Sequence, residues 1–453
     1  MRFLERVFRS FFGSRMKPFA GIPGPKPTFP FGTLLDFWGA KPWDVCAKYA
    51  KKYGGVTLIW VGEEPALVLN DPELIREVLV TNWKDYYKDN PIKAFKPVLK
   101  KTVFDENGPE WVRMRTNHPL SMPRLEEWLP TQAAGIKKVV ENHLQRLCTA
   151  QQPMDLLGPM ERMCYDVYNA CVIGRQLGDR AYRYFYITSN MATKRMVLPK
   201  WMLVPPLNPM FWYARHRHFC AFEQIVNETK QDLGSGANDL LHVLLRNGTG
   251  LSDKELADEV GDIHAGGVFS AGTALVNTLY LLSHNPQVAR ELEEQLRAFQ
   301  RDNASAPEDC PLLDHVLRES MRYLAPVPVY FRNVLKSKPT RLGDYQLPAS
   351  TLVLIVTQAA QRSPAFWDNP DKFDPSRWQT KTVPLDSDYF FPFGRGPRIC
   401  VGATFAMYCM RVMLATILSR ARVEIDPWIP YRQFFHCGVA EPKGIKGRFV
   451  PHP

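Results

Sequence analysis

Phe391-Pro-Phe-Gly-Arg-Gly-Pro-Arg-Ile-Cys400-Val-Gly402 sets one cysteine in a loop of three glycines, with two arginines just ahead of it. Glycines 394, 396 and 402 permit positive φ and close approach of the backbone to a flat ligand. Arg398 can hold a carboxylate through two parallel hydrogen bonds. The apolar run from Ala403 to Ile417 reads as a helix, and its N-terminal dipole would favour a thiolate at Cys400. Phe393 is placed to cover the sulfur.

The spacing F-x-x-G-x-R-x-C-x-G is met by Phe393, Gly396, Arg398, Cys400 and Gly402. It resembles the haem-binding loop of the cytochrome P450 family. The resemblance implies that Cys400 is the thiolate ligand of the iron in haem b (iron protoporphyrin IX), a ligand that favours O–O cleavage. On this stretch alone, a buried cysteine after an ordinary glycine turn is the alternative.

Composition sets wide bounds. At about 150 residues per domain, 453 residues would suggest about three domains, yet no glycine/serine linker, low-complexity run or clear repeat divides the chain. The expectation is a tail over 1–20 and one catalytic domain over 21–453. Hydrophobic residues at 45% and charged residues at 23% fit a globular protein with a large core. The net charge of +11 is either a solvated basic surface or an attraction to an acidic protein or anionic membrane. The basic residues are dispersed, which argues against nucleic acid.

Nine cysteines, an odd number without a C-x-x-C pair, argue against a disulfide framework or zinc site and for a reducing compartment. No apolar run is expected to reach the roughly 18 residues of a membrane span. Met1-Arg-Phe-Leu-Glu-Arg-Val-Phe-Arg-Ser-Phe-Phe reads as an amphipathic surface anchor, an organelle-targeting segment or a frayed terminus. The expected residence is cytoplasmic, with peripheral membrane contact allowed and a mitochondrial address as the alternative.

Along the chain, Ile22-Pro-Gly-Pro-Lys-Pro27 cannot be helical. Val56–Val61 and Ala66–Leu69 read as strands, and Pro72 to Val80 as a helix capped by Asp71. Residues 84–104 read as a loop. Trp111 and Arg115 share a face of the helix that Pro109 opens. The apolar, proline-broken stretch 196–213 reads as a channel lid, a membrane-dipping loop or a buried connection. Leu256 to Ser283 reads as one long helix behind the capping-box residues Ser252 and Glu255. Helices are expected near 287–300 and 312–324, strands at Val329–Val334 and Leu352–Val356, and a hairpin turning at Glu441-Pro-Lys-Gly.

Further motifs fall in the family's order. Glu319 and Arg322 lie three apart on one helix face and can pair. The resemblance implies that Arg377 joins them in a buried network behind the cysteine loop, one that specifies geometry more than it adds stability. It also implies that Trp111, Arg115 and Arg332 meet the haem propionates. The central helix departs from the family pattern [AG]-G-x-[DE]-T. Ala265 and the glycines Gly266 and Gly267 are present, but Phe269 stands at the acid position and Ser270 at the threonine position. In the family that pair relays protons. Phe269 cannot carry one. Asp262, two turns earlier on roughly the same face, is the candidate replacement, and a helix-end surface charge is its alternative. His264 reads as a packing residue.

The resemblance implies a mainly helical cytochrome P450 fold with small peripheral sheets. It implies a monomeric monooxygenase inserting one atom of O2 into a lipophilic substrate, with Ser270, Asp262, Gly266 and Phe269 on the oxygen side. Expected pocket walls are 84–104, 196–210, Asp262, Phe269, Val327–Phe331 and the turn at His436-Cys437. Electrons would come from a separate ferredoxin or flavoprotein reductase. The alternatives are a haem-thiolate isomerase, dehydratase or peroxygenase, suggested by Phe269, and a non-catalytic haem-binding sensor.

Overall fold

The structure is a computed structural model that describes residues 13–452, apart from 14, 29–30, 38–39, 41, 63, 90–99, 198–207, 302–305 and 437. Four expectations lie wholly or partly outside the described residues: the N-terminal Arg/Phe segment, the middle of the 84–104 loop, most of 196–213, and Cys437.

Helices dominate. The principal ones are α1 (Pro42–Tyr53), α2 (Pro72–Arg76), α3 (Gly108–Asn117), α4 (Ala133–Leu147), α5 (Leu157–Ile173), α6 (Gly178–Val197), α7 (Pro209–Gln231), α8 (Leu240–Asn247), α9 (Asp253–His284), α10 (Pro286–Arg301), α11 (Pro311–Tyr323) and α12 (Ala403–Arg420). The strands are β1 (Val56–Val61), β2 (Glu64–Leu69), β3 (Tyr86–Tyr87), β4 (Met154–Asp155), β5 (Val329–Val334), β6 (Thr340–Leu342), β7 (Tyr345–Leu347), β8 (Leu352–Val356), β9 (Ala421–Ile425), β10 (Gln433–His436), β11 (Val439–Pro442) and β12 (Lys446–Pro451). The chain forms two compact units of interleaved segments, one from 1–93, 327–372 and 383–400, the other from 94–326, 373–382 and 401–453.

The first unit is built on a five-stranded sheet in the order β1-β2-β8-β5-β3. β1 and β2 form an antiparallel hairpin with Val56 opposite Leu69, and β2 runs parallel to β8 with Ala66 opposite Leu352. The Val-Thr-Leu-Ile-Trp run of β1 is buried on both faces, and β-branched and aromatic side chains suit that setting. Asp71 caps α2 by accepting from the amides of Glu73 at 2.9 Å and Leu74 at 3.1 Å. α2 is shorter than the expected 72–80, because residues 77–81 widen into a π turn. Trp60, Leu67, Ile75, Leu79, Val353, Ile355 and Phe391 share one apolar core. The first residue of the cysteine loop is therefore a core residue.

The second unit is helical around α9, which extends from Asp253 to His284. Ser252 and Glu255 close the expected capping box, with the Ser252 amide donating to Glu255 Oε2 at 2.9 Å. α9 is long and apolar enough by composition to cross a membrane, contrary to the expectation that no such run exists. Its apolar window is 72% buried inside the protein, as befits a core helix. Gly267 lets α5 pack close, since a Cβ there would lie 2.2 Å from Tyr168 Cε2.

One hairpin differs from expectation. β10 and β11 pair with His436 opposite Val439, so the strands turn back between those two residues, where Gly438 has φ +84°. Glu441 and Pro442 lie within β11, and the Pro-Lys-Gly segment instead leads into β12, which pairs with β9 and β4.

Candidate active site

The cysteine loop is set from its apolar end. Phe391 is fully buried, and its amide donates to Gln361 Oε1 at 3.1 Å. The Tyr330 hydroxyl donates to the carbonyls of Phe391 at 3.2 Å and Pro392 at 2.9 Å. Gly394 and Gly396 have φ of +80° and +70°. At Gly396 a Cβ would lie 2.2 Å from the Leu79 carbonyl oxygen, so only glycine fits. Gly402 differs from the expectation of positive φ: it sits at φ −89° as the residue that opens α12. The loop folds back through the Cys400 amide, which donates to the Phe393 carbonyl at 2.8 Å. Cys400 itself is exposed and outside any disulfide. Arg395 pairs with Asp388.

Two more arginines gather by this loop. β5 carries Tyr330 and Arg332 two apart, hence on one face. Arg332 is buried, and burial pulls its guanidinium down to about 10. Burial, then repulsion from Arg332, pulls Arg398 down to about 9. Two neighbouring cations held at reduced basicity form a seat for an anion. Burial and the nearby Cys400 push the Tyr330 hydroxyl up.

In the second unit, Glu319, Arg322 and Arg377 come together as expected from their order. Arg322 grips Glu319 with Nε at 2.8 Å and Nη2 at 3.0 Å, and Arg377 Nε reaches the same carboxylate at 3.0 Å. Glu319 and Arg322 are both fully buried. Sequence reasoning missed two further donors: the Trp378 indole at 3.0 Å and the Asp374 amide at 2.8 Å. The signal was an indole directly after a buried arginine. Tyr330 was also missed, although its spacing from Arg332 on a strand pointed to it.

α9 carries an accessible strip. Asp262, Ala265, Gly266, Gly267 and Ser270 keep exposure in the middle of a helix otherwise largely buried there. Asp262, Gly266 and Ser270 recur every fourth residue, one helix face. Ser270 Oγ donates to the Gly266 carbonyl at 3.0 Å. Phe269 does not share the strip. It is 1% exposed, stacks on Phe185 with centroids 5.4 Å apart, and meets His436 edge to face at 5.2 Å. The expected wall residue is thus covered by Phe185 of α6 and His436 of β10, although seven residues place it within about 20° of Asp262 around the helix. His264 is fully buried, with Nε2 3.1 Å from Asn169 Oδ1, as a packing histidine would be. On α3, Trp111 is buried and Arg115 half-buried.

A sequence profile described as Cytochrome P450 matches residues 22–443. The chain belongs to the cytochrome P450 family. As a P450 it is a haem-iron oxidoreductase of the monooxygenase type. It is 26% identical to Cytochrome P450 3A13 of Mus musculus over 89% of this chain and 86% of that protein. It is 28% identical to Cytochrome P450 72A397 of Kalopanax septemlobus over 83% and 77%. It is 27% identical to the mitochondrial 1,25-dihydroxyvitamin D(3) 24-hydroxylase of Rattus norvegicus over 93% and 87%. The heme domain of cytochrome P450DA shares the fold, with a TM-score of 0.82 at 19% identity over 95% of this chain and 98% of that one.

The residues of the cysteine loop fit the family's haem. Cys400 offers an exposed sulfur outside any disulfide. Arg332, buried, and Arg398, half-buried, offer positive charge whose desolvation a pair of propionates would offset.

Proposed function

We propose that this P450 inserts one oxygen atom of O2 into a lipophilic substrate, with haem b held by Cys400 and electrons delivered by a separate ferredoxin or flavoprotein reductase. The observation that carries the reading is the strip Asp262–Gly266–Ser270, accessible along a helix that is otherwise largely buried there. When bound, haem supplies the iron chemistry that a thiolate ligand directs toward O–O cleavage. The side chains divide the remaining tasks. Cys400 supplies the thiolate, and Phe393 anchors it through its own carbonyl. Arg332 and Arg398, with Trp111 and Arg115, hold the propionates. Glu319, Arg322 and Arg377 preserve the shape of the loop's support.

Ser270 Oγ holds a proton and shares it with the Gly266 carbonyl. Asp262, on the same face, replenishes that proton from solvent. The net charge of +11 supports docking of an acidic electron carrier. Residence is proposed as cytoplasmic with peripheral membrane contact. The rat relative's name supports the mitochondrial alternative, and cell fractionation separates the two.

The test is reductase-supported turnover of a lipophilic substrate panel. Product formation that requires both reductant and O2 is expected. Conversion without reductant, or with peroxide alone, would establish the isomerase or peroxygenase reading instead. Cys400→Ser should abolish the red-shifted Soret band of the ferrous–CO complex, and an unchanged band would refute Cys400 as the ligand.

A further inference from the structure

The turn between α7 and α8 holds a buried imidazole nitrogen that the haem and oxygen chemistry does not use. His242, in the first turn of α8, is 7% exposed, and its Nε2 has no hydrogen-bond partner. A buried polar atom of this kind costs free energy unless a ligand answers it. The other ring nitrogen is already taken. Nδ1 lies 2.6 Å from Asp239 Oδ2, while the His242 amide donates to Asp239 Oδ1 at 3.2 Å. One carboxylate thus caps α8 and fixes the ring. A carboxylate only accepts, so Nδ1 carries the proton, and the neutral ring presents a lone pair at Nε2.

Asp239 has little freedom of its own. It is buried, and it fits against the end of α5 because residue 174 is glycine at φ +66°, where a Cβ would lie 2.5 Å from Asp239 Oδ2. The preceding carbonyl, of Asn238, accepts from the Trp128 indole and the Gln132 side-chain amide, each at 2.9 Å. Nε2 faces Asp232, the residue that closes α7, with Asp232 Oδ2 3.8 Å away. That is too long for a hydrogen bond. A zinc ion lies about 2.0–2.1 Å from an imidazole nitrogen and about 2.0–2.2 Å from a carboxylate oxygen, which puts two such ligands about 3.4 Å apart in a tetrahedral shell. Asp232 is 67% exposed and can make up the difference by a small side-chain rotation.

We propose that His242 Nε2 and the Asp232 carboxylate bind a divalent cation of the zinc class, with Asp239 as the outer carboxylate that orients the imidazole and water completing the shell. A carboxylate behind a ligating histidine fixes its tautomer and raises its basicity. The imidazole selects a zinc-class ion over Mg2+ and Ca2+, which take oxygen ligands. Among the described residues no group of three or more His, Cys, Asp and Glu side chains is able to hold a metal ion. The site therefore has two protein ligands and fills reversibly from solution. Bound there, the ion ties the end of α7 to the start of α8. None of the residues assigned to haem or oxygen takes part, so the proposal stands apart from the assigned activity.

The experiment is a zinc titration of the ferric holoenzyme carrying Cys220→Ser, read by hydrogen exchange. That background removes the helical pair His216 and Cys220, whose Nδ1 and Sγ lie 3.6 Å apart and would compete for the ion. At ten times the half-saturating zinc, amides of 232–243 should gain about tenfold in protection, the factor that linkage gives for an ion bound only to the closed turn. Amides of α11 should not change, and Mg2+ should not substitute. Asp232→Asn, at an exposed position, should raise the half-saturating zinc at least about tenfold. Asp239→Asn keeps a helix cap and loses the carboxylate behind the ring, so it should raise that concentration about 10–100-fold. If Asp239→Asn fails to fold, Asp232→Asn decides alone. The absence of protection by zinc would overturn the proposal. So would equal protection by Mg2+, or an Asp232→Asn variant that saturates at the same zinc concentration as its parent.

Discussion

Trp378 donates its indole N–H to Glu319 Oε2 at 3.0 Å. One fully buried carboxylate thereby accepts from two arginines, an indole and the Asp374 amide. Trp378→Phe keeps the ring and removes one donor to a charged group. It should cost about 1.5–3 kcal/mol, read as a lower thermal midpoint of the holoenzyme. An unchanged midpoint would mean that Glu319 is already satisfied without the indole.

Arg322→Leu removes the bidentate partner altogether. A buried carboxylate left short of charge costs about 3–5 kcal/mol. The variant should accumulate with little haem per chain, measured by absorbance against protein concentration. Arg322→Leu combined with Glu319→Leu should recover part of the loss, since the apolar pair leaves no uncompensated ion.

Gly396→Ala should prevent the loop from closing. The backbone is at φ +70° and the added methyl meets the Leu79 carbonyl at 2.2 Å. The ferrous–CO signal per chain should collapse. Gly402, at φ −89°, imposes no such backbone limit, so Gly402→Ala is the milder change.

Phe269→Asp places a carboxylate in an aromatic cluster where Glu441 already lies against His436. It should lower the thermal midpoint without improving the ratio of product to reductant consumed. Asp262→Asn, on the accessible strip, should lower that ratio and raise peroxide release. The reverse ranking would return proton handling to position 269.

Acid sensitivity follows from three buried histidines. Burial lowers His118 and His218 to about 3 and His264 to about 4. Each stays neutral in the native protein, while the unfolded chain takes up a proton near pH 6.5. The unfolded state binds more protons between those values, so stability falls as pH drops from about 6.5 toward 3. His218→Phe keeps an aromatic ring against Phe219 and Phe222. It should reduce the slope of stability against pH by about one proton in that window.

Much of this was legible in the chain because local chemistry carried it. Ser252 and Glu255 announced a helix start, and β-branched runs announced β1, β5 and β8 within a residue or two. Glycines 394 and 396 announced a loop that no other residue could close. The hairpin turn was misplaced because Glu441-Pro-Lys-Gly has turn residues of its own. Pairing decided between two turn signals, and the strand that buries Glu441 opposite Phe434 won.

The sequence by itself determined the family, the cysteine, and the pairing of Glu319 with Arg322, since each depends on residues a few positions apart. Tertiary structure alone decided where side chains on one helix point. Phe269 and Asp262 lie within about 20° of each other around one helix, yet Phe185 of α6 and His436 of β10 cover the first and leave the second on the accessible strip. It also brought Trp378 to Glu319 and His436 to Asn190 across long stretches of chain. No spacing rule reaches that far, because such contacts are selected by burial of whole elements rather than by local geometry.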